Sequence, residues 1–223
     1  MVMDPVAMFP LGSVLFPYTP LALRVFEPRY LTMIGRLLDV EGPEFGVVLI
    51  ERGHEAGGGD ERAEIGVRAR VLRIDAGAAD LHVIAVGGER IAIDRWLEDD
   101  PHPLAEVSPI AALEWDDALA PLLGEAERVV RRLATLASVL DEARWDPGSE
   151  LSDDPVESAW QLAAMAPLGE YDRYRLLGST SVGGLLRGVI DLCLDQEPVL
   201  IARAADARGA EDGGFQGPEA PGG

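Results

Sequence analysis

The side chains of this sequence best suited to ligate a metal or attack a carbonyl are three histidines, His54, His82 and His102, and one cysteine, Cys193. A helical zinc pair needs histidines at i and i+4, and no two of these have that spacing. A thiolate zinc cluster or an internal disulfide needs more than one cysteine. Cys193 falls in an apolar helical pattern and reads as a small buried hydrophobe. A serine nucleophile needs a base and a sharp strand-to-helix turn, and no G-x-S-x-G pattern occurs. The carboxylates Glu98, Asp99 and Asp100 are adjacent in sequence, so their side chains diverge on a solvated turn rather than face each other across a substrate. Asp116-Asp117 and Asp153-Asp154 stand where helices are expected to begin, and there the helix dipole favours acid. Gly57-Gly58-Gly59 would cradle a phosphate only between a strand and a helix N-terminus. A strand pattern follows instead, so the triplet is read as a loop.

All 19 basic residues are arginine; there is no lysine. A P-loop, a Ser-Lys dyad and a side-chain Schiff base are therefore excluded. The 39 acidic residues give a net charge of −20, with acid in excess in both halves and in the tail. Affinity for nucleic acid comes largely from neutralising phosphates, and affinity for anionic membranes from the same sign of charge, so both partners are disfavoured. The start of the chain has no basic n-region followed by an apolar stretch, and no apolar run approaches the roughly 18 residues of a span. These observations predict a soluble cytoplasmic protein with no metal, no cofactor and no catalytic site.

The elements that must position any site divide the chain in two. Val6–Phe9 and Leu23–Phe26 read as short strands separated by Pro10, Gly12, Pro17 and Pro20. Pro28 suits a first helical turn, and Tyr30, Met33, Ile34, Leu37 and Leu38 follow on one apolar face that Gly42-Pro43 ends. Phe45–Ile50 reads as a buried strand. Ile65–Ile74 and Leu81–Val86 form a hairpin, Gly87-Gly88 suggests a bulge or corner, and Ile91 and Ile93 resume the strand. Leu104–Val107 and Ile110–Leu113 offer a last strand pair. From Leu119 an apolar seam recurs with steps of 4 and 3 through Leu123, Ala126, Val130, Leu133, Ala137 and Leu140. Packing on neighbouring helices is preferred to an intermolecular coiled coil, because more helices follow. Asp116 or Asp117 caps that helix. Ser152-Asp-Asp-Pro opens a helix holding Trp160, a short one runs from about Glu170 to Leu177, and Ser179 or Ser181 caps the last. The fold class predicted is α+β: a mixed β-barrel with one early helix over residues 1–113, a helical bundle over 114–205, and a disordered acidic Gly/Pro tail over 206–223.

The stretch from Phe9 to Tyr30, with Pro10, Leu11, Pro17, Arg24, Phe26, Glu27, Arg29 and Tyr30, resembles the opening of the Lon protease N-terminal domain family. That opening is a P-L-x-x-x-V-L-F-P block followed by L-x-L-R-I-F-E-x-R-Y and a helix. Phe45-Gly-Val-Val-Leu resembles the family's next strand, Ile65-Gly66 its V-G turn before a long strand, and Gly87-x-x-Arg90 its G-x-x-R-F segment, with Ile91 in place of the usual aromatic. The resemblance implies a PUA-like barrel followed by a helical bundle, and a part in recognising unfolded or tagged substrates. The chain stops where the family's ATPase would start, so a stand-alone member is expected. The function expected is a non-catalytic module that binds unfolded or hydrophobic polypeptide segments, an adaptor serving a protease or chaperone. The alternative is a PUA-like domain that binds RNA or a small regulatory ligand. Phe16, Tyr18 and Leu21, taken as exposed apolar groups, are the expected peptide contacts. Arg24, Glu27 and Arg29 are expected to form a charge network pinning the helix to the barrel, and the remaining motif residues to serve architecture.

Overall fold

A computed structural model describes residues 5–52 and 61–212, with side chains to residue 207. The expected phosphate-free glycine loop, His54 and the final residues 213–223 lie outside the described residues.

Six strands and one helix come first. They are β1 (Val6–Leu11), β2 (Pro20–Val25), α1 (Pro28–Leu37), β3 (Glu44–Arg52), β4 (Glu61–Ala76), β5 (Leu81–Trp96) and β6 (Leu104–Pro109). The sheet order is β2-β5-β4-β3-β1-β6, and β6 also pairs with β5, so five of the strands are hydrogen-bonded in a ring with β2 attached to β5 outside it. β1 and β3 are parallel and the other pairs antiparallel. The α+β class expected from the sequence is the one found.

The long β5 serves both sides of this arrangement because it changes partner midway. Leu81 to Val86 pair with β2, and Ile91 to Trp96 pair with β6. The change falls at Gly87-Gly88, where the register against β4 slips between Val67↔Arg90 and Ala69↔Gly87. That slip is the bulge expected there, inside one continuous strand. Gly66 is not a turn residue: it lies within β4, opposite Val48. A Cβ on it would stand 2.4 Å from the Val47 carbonyl oxygen, so the close strand approach, not a turn, requires glycine.

Pro28 is at the first turn of α1, as its missing N–H allows. Tyr30, Met33 and Ile34 are buried beneath the sheet, and the Tyr30 ring stacks on Phe9 at 4.0 Å. Leu38, expected on the same face, is the helix C-cap and is exposed. Ile110–Leu113 is not a strand; the chain leaves the sheet at Pro109.

A 3-10 turn at Asp117–Leu119 then leads into α2 (Ala120–Ser138), α3 (Pro155–Met165), α4 (Glu170–Leu177) and α5 (Val182–Asp212). Asp116 accepts from the Ala118 N–H at 2.9 Å, and Asp154 accepts from Val156 and Glu157 at 2.9 and 3.0 Å. Asp154 caps α3 directly, whereas Asp116 caps the 3-10 turn that leads into α2, whose own N-cap, Leu119, makes no side-chain cap bond. The Ser181 hydroxyl accepts from Gly184 N–H at the start of α5. The α2 seam is turned inward: Ala126, Val130, Leu133 and Ala137 are buried, and α2 packs on α5 and α3. α5 continues to Asp212, so residues 206–212, expected to be disordered, are helical. Among the described residues no helix is long and apolar enough to cross a membrane.

Candidate functional site

The β1–β2 loop, residues 12–19, connects the sheet to the helices. Its backbone is read from both sides. The Val14 N–H donates to Glu170 Oε2 at 2.7 Å, and the Val14 carbonyl accepts from Arg173 Nη2 at 3.3 Å. On the other side the Tyr18 N–H donates to the Gly87 carbonyl at 2.7 Å, and the Gly87 N–H donates to Thr19 at 2.9 Å. A Cβ at position 87 would lie 2.1 Å from the Phe16 carbonyl oxygen. Glycine is needed here because two backbones touch.

Phe16 is the plug of this joint. It is 0% exposed, its ring centroid is 5.7 Å from that of Trp160 on α3, and the Arg173 guanidinium lies over its face at 4.8 Å. The expectation that Phe16 is a surface contact is therefore corrected. Trp160 of α3 and Arg173 of α4 close over it, and its apolar area is spent inside the protein.

Two arginines are buried at the same joint. Arg90, 4% exposed on β5, donates to the carbonyls of Leu177, Ser179 and Ala111 at 2.9, 2.6 and 2.8 Å, and its guanidinium sits 5.2 Å from the Trp160 ring. Burial lowers its pKa from the ordinary value. Arg173 on α4, 5% exposed, donates to Ala164 at 3.0 Å as well as to Val14. Burial, with the like charge of Arg144 adding to it, pushes Arg173 down to about 10, against the opposing pull of Glu170. Tyr174 completes the joint by accepting from the N–H groups of Glu64 and Ile65 on β4 at 3.2 and 3.3 Å.

The expected Arg24–Glu27–Arg29 network does not form as one unit. Arg29 Nε pairs with Glu27 at 3.1 Å, while Arg24 pairs with Asp80 in the turn before β5. That pairing lowers the Asp80 pKa, chiefly through the hydrogen bond from Arg24. β2 and β5 are antiparallel, so the β4–β5 turn carrying Asp80 lies beside Arg24 at the end of β2.

Apart from Ser13 and Arg24, the side chains that the loop and β2 expose include apolar ones. Tyr18 is 39% exposed and has φ +58, the left-handed region that a bulky residue adopts only when its surroundings impose it. Here Gly87 holds its N–H, and Gln161 Nε2 lies 3.5 Å from its carbonyl oxygen. Tyr18 borders a cavity of about 260 Å³ shared with Pro17, Val156 and Trp160. Leu21 is half-buried beside a second of about 260 Å³ with Leu11, Pro20, Trp145, Arg144 and Arg173. A third of about 260 Å³ runs between Phe9 and Leu11 of β1 and Ala22 to Val25 of β2, and ends at Phe26, Glu27 and Tyr30. Phe26 is 62% exposed. It was assigned to architecture; an aromatic that ends an edge strand and starts no core is the signal that distinguishes it. Of the motif residues, Pro10, Leu11, Pro17 and Tyr30 belong to the core or its rim, and Gly87 and Arg90 to the joint.

The remaining titratable groups are dispersed. His82 is exposed and 3.8 Å from Asp80; His102 is buried with Nδ1 3.2 Å from the Pro103 carbonyl oxygen. Cys193 is buried in α5. Among the described residues no three of His, Cys, Asp and Glu converge as metal ligands.

Comparison with known proteins gives one consistent answer. The profile of the ATP-dependent protease La (LON) substrate-binding domain matches residues 5–194. A crystal structure of a Lon N-terminal domain protein from Xanthomonas campestris is similar, with 28% sequence identity and a TM-score of 0.57, over 81% of this chain and 93% of that one. The N-terminal domain of Mycobacterium avium complex Lon protease superposes with a TM-score of 0.60 at 16% identity, over 86% of this chain and 99% of that one, a likeness of fold alone. A search of curated proteins gave no significant match.

Proposed function

The chain belongs to the LON substrate-binding domain family, and from that premise we propose that it is a polypeptide-recognition module that performs no chemistry of its own and hands bound segments to a separate protease or chaperone. The family match over residues 5–194 is the observation that carries this reading. The geometry supports it in a specific way. The family motif is used to lock the sheet to the helices, through Phe16, Gly87 and Arg90, and beside the exposed Arg24 it leaves two exposed aromatics, Tyr18 and Phe26, with Leu21 half-buried between them. A rigid joint that presents unsatisfied apolar groups beside shallow cavities suits capture of exposed hydrophobic segments better than it suits enclosure of a reacting small molecule. The charge of −20 favours cationic clients and disfavours RNA.

The test is fluorescence anisotropy with reduced, alkylated lysozyme, an unfolded cationic polypeptide. Saturable binding that native lysozyme does not compete supports recognition of unfolded chains. No binding, or binding of RNA in its place that weakens steeply with salt, overturns it.

A further inference from the structure

We infer that β2 is a docking edge, on which an extended apolar segment of a client polypeptide, flanked by basic residues, adds as a further strand. This rests on the polypeptide-recognition reading above and names how the client is held. The sheet order places β2 at one end, with β5 as its one ladder neighbour among the described residues. The direction of its backbone groups follows from the ladder. Gly87 N–H donates to Thr19, and the pairing then runs without a slip from Pro20↔Val86 to Val25↔Leu81. In an antiparallel ladder alternate residues turn their N–H and C=O to the partner. Residues 19, 21, 23 and 25 therefore face β5, and Pro20, Ala22 and Arg24 turn theirs to the open edge. That edge offers two donors and three acceptors, in a strand whose six residues span roughly 20 Å.

Sheet edges are normally guarded by charge, by bulges or by covering elements. This one carries two light guards, the proline at its first residue and one charge. Its sequence is Pro-Leu-Ala-Leu-Arg-Val, and Arg24, its side chain 71% exposed, pairs with Asp80 of the β4–β5 turn. Proline at position 20 costs one donor at the start of the edge and no more. Along the edge lies the groove between β1 and β2, lined by Phe9, Leu11, Leu23 and Val25 and closed by exposed Phe26. An extended strand is the occupant that satisfies unpaired backbone groups and apolar wall together; a helix would leave the edge groups unpaired. The flanking charge follows from the −20 of the chain, which attracts a cationic segment and opposes close approach of a second copy of itself.

The experiment uses the full chain and a short synthetic peptide of alternating valine and threonine with arginines at both ends. Its twin carries N-methyl groups on alternate amides along one edge, which removes strand pairing and keeps the side chains. The unmethylated peptide is expected to bind at least about tenfold more tightly than its twin. Ala22→Pro, which removes an outward N–H and leaves the β5 ladder intact, is expected to abolish that difference. Equal binding of the two peptides to the unaltered protein overturns strand addition while leaving polypeptide recognition standing. Binding of neither peptide, with alkylated lysozyme still bound, overturns the β2 edge alone; binding of none of the three overturns both. A concentration-dependent dimer in sedimentation, lost in Ala22→Pro, assigns the edge to a second copy and overturns the client.

Discussion

Arg90 Nη1 donates to the carbonyl of Leu177 at 2.9 Å, and so ties the middle of β5 to the C-terminus of α4. A helix ends with carbonyls that lack intrahelical partners, and a cation there meets both the dipole and the unpaired acceptors. The same guanidinium also holds Ser179 and Ala111 and lies near the Trp160 ring. It is one of the fasteners between sheet and helices, beside Glu170, Arg173 and Tyr174. Replacing it with methionine keeps most of the volume but leaves three carbonyls without their donor. Arg90→Met is expected to cost on the order of 3 kcal/mol, read as a lower midpoint in urea. Arg90→Lys recovers little of this, because an ammonium lacks the planar fork that reaches three carbonyls.

Phe16 and Tyr18, two residues apart, separate stability from recognition. Phe16 is fully buried against Trp160, so Phe16→Ala is expected to cost about 3–5 kcal/mol by cavity formation. Tyr18 carries the strain of φ +58 and exposes its ring. Glycine relieves that strain, which for a non-glycine residue is about 1–2 kcal/mol. Tyr18→Gly is therefore expected to melt no lower than the unaltered protein while binding alkylated lysozyme more weakly. A fall in melting temperature as large as that of Phe16→Ala would place Tyr18 in the joint instead.

The secondary structure was largely legible because local signals decide it. The caps at Asp116 and Asp154, the proline opening α1 and the glycine bulge in β5 are chemistry read within a few residues. The facing of the β1–β2 loop was not. Phe16, Tyr18 and Leu21 lie in a proline-rich segment with no period, and burial there depends on Trp160 and Arg173, some 150 residues away, as the Val14–Arg173 bond with its separation of 159 shows. Arg90 reads in sequence as a family echo; its carbonyl partners lie 21 to 89 positions away. Arg24 was grouped with Glu27 by proximity in sequence, but the antiparallel ladder puts Asp80 closer.

Two glycines predict opposite outcomes for the same substitution. Gly87 has a backbone oxygen 2.1 Å from where a Cβ would sit, and that oxygen belongs to a loop pinned on both sides. Gly87→Ala must displace the loop and is expected to cost about 2 kcal/mol or more. Gly35 is exposed in α1 with nothing within 4 Å of the same position. Gly35→Ala is expected to stabilise by about 0.5–1 kcal/mol, since alanine restricts the unfolded chain and fits a helix. Urea midpoints of the two variants check both signs.

Cys193 gives the fold a defined response to alkali. Burial, with Glu197 adding to it, pushes its thiol up to about 12 from the ordinary 9.0. The unfolded chain ionises this group near pH 9, whereas the native state holds the proton. The stability that the buried thiol contributes is thus complete below pH 9 and is lost as pH rises toward 12. Cys193→Ala removes the titration at the cost of a small cavity. Urea unfolding at pH 8 and pH 11 is expected to show the unaltered protein losing on the order of 2 kcal/mol more than the alanine variant over that interval. Native Cys193 should also resist thiol reagents at pH 8 until the chain is unfolded, since the thiolate is the nucleophile and burial suppresses it. Rapid labelling of the folded protein, or equal alkaline losses in the two proteins, would mean that α5 opens around Cys193 and that its last turns are held less firmly than Leu200 and Ala204, both buried, indicate.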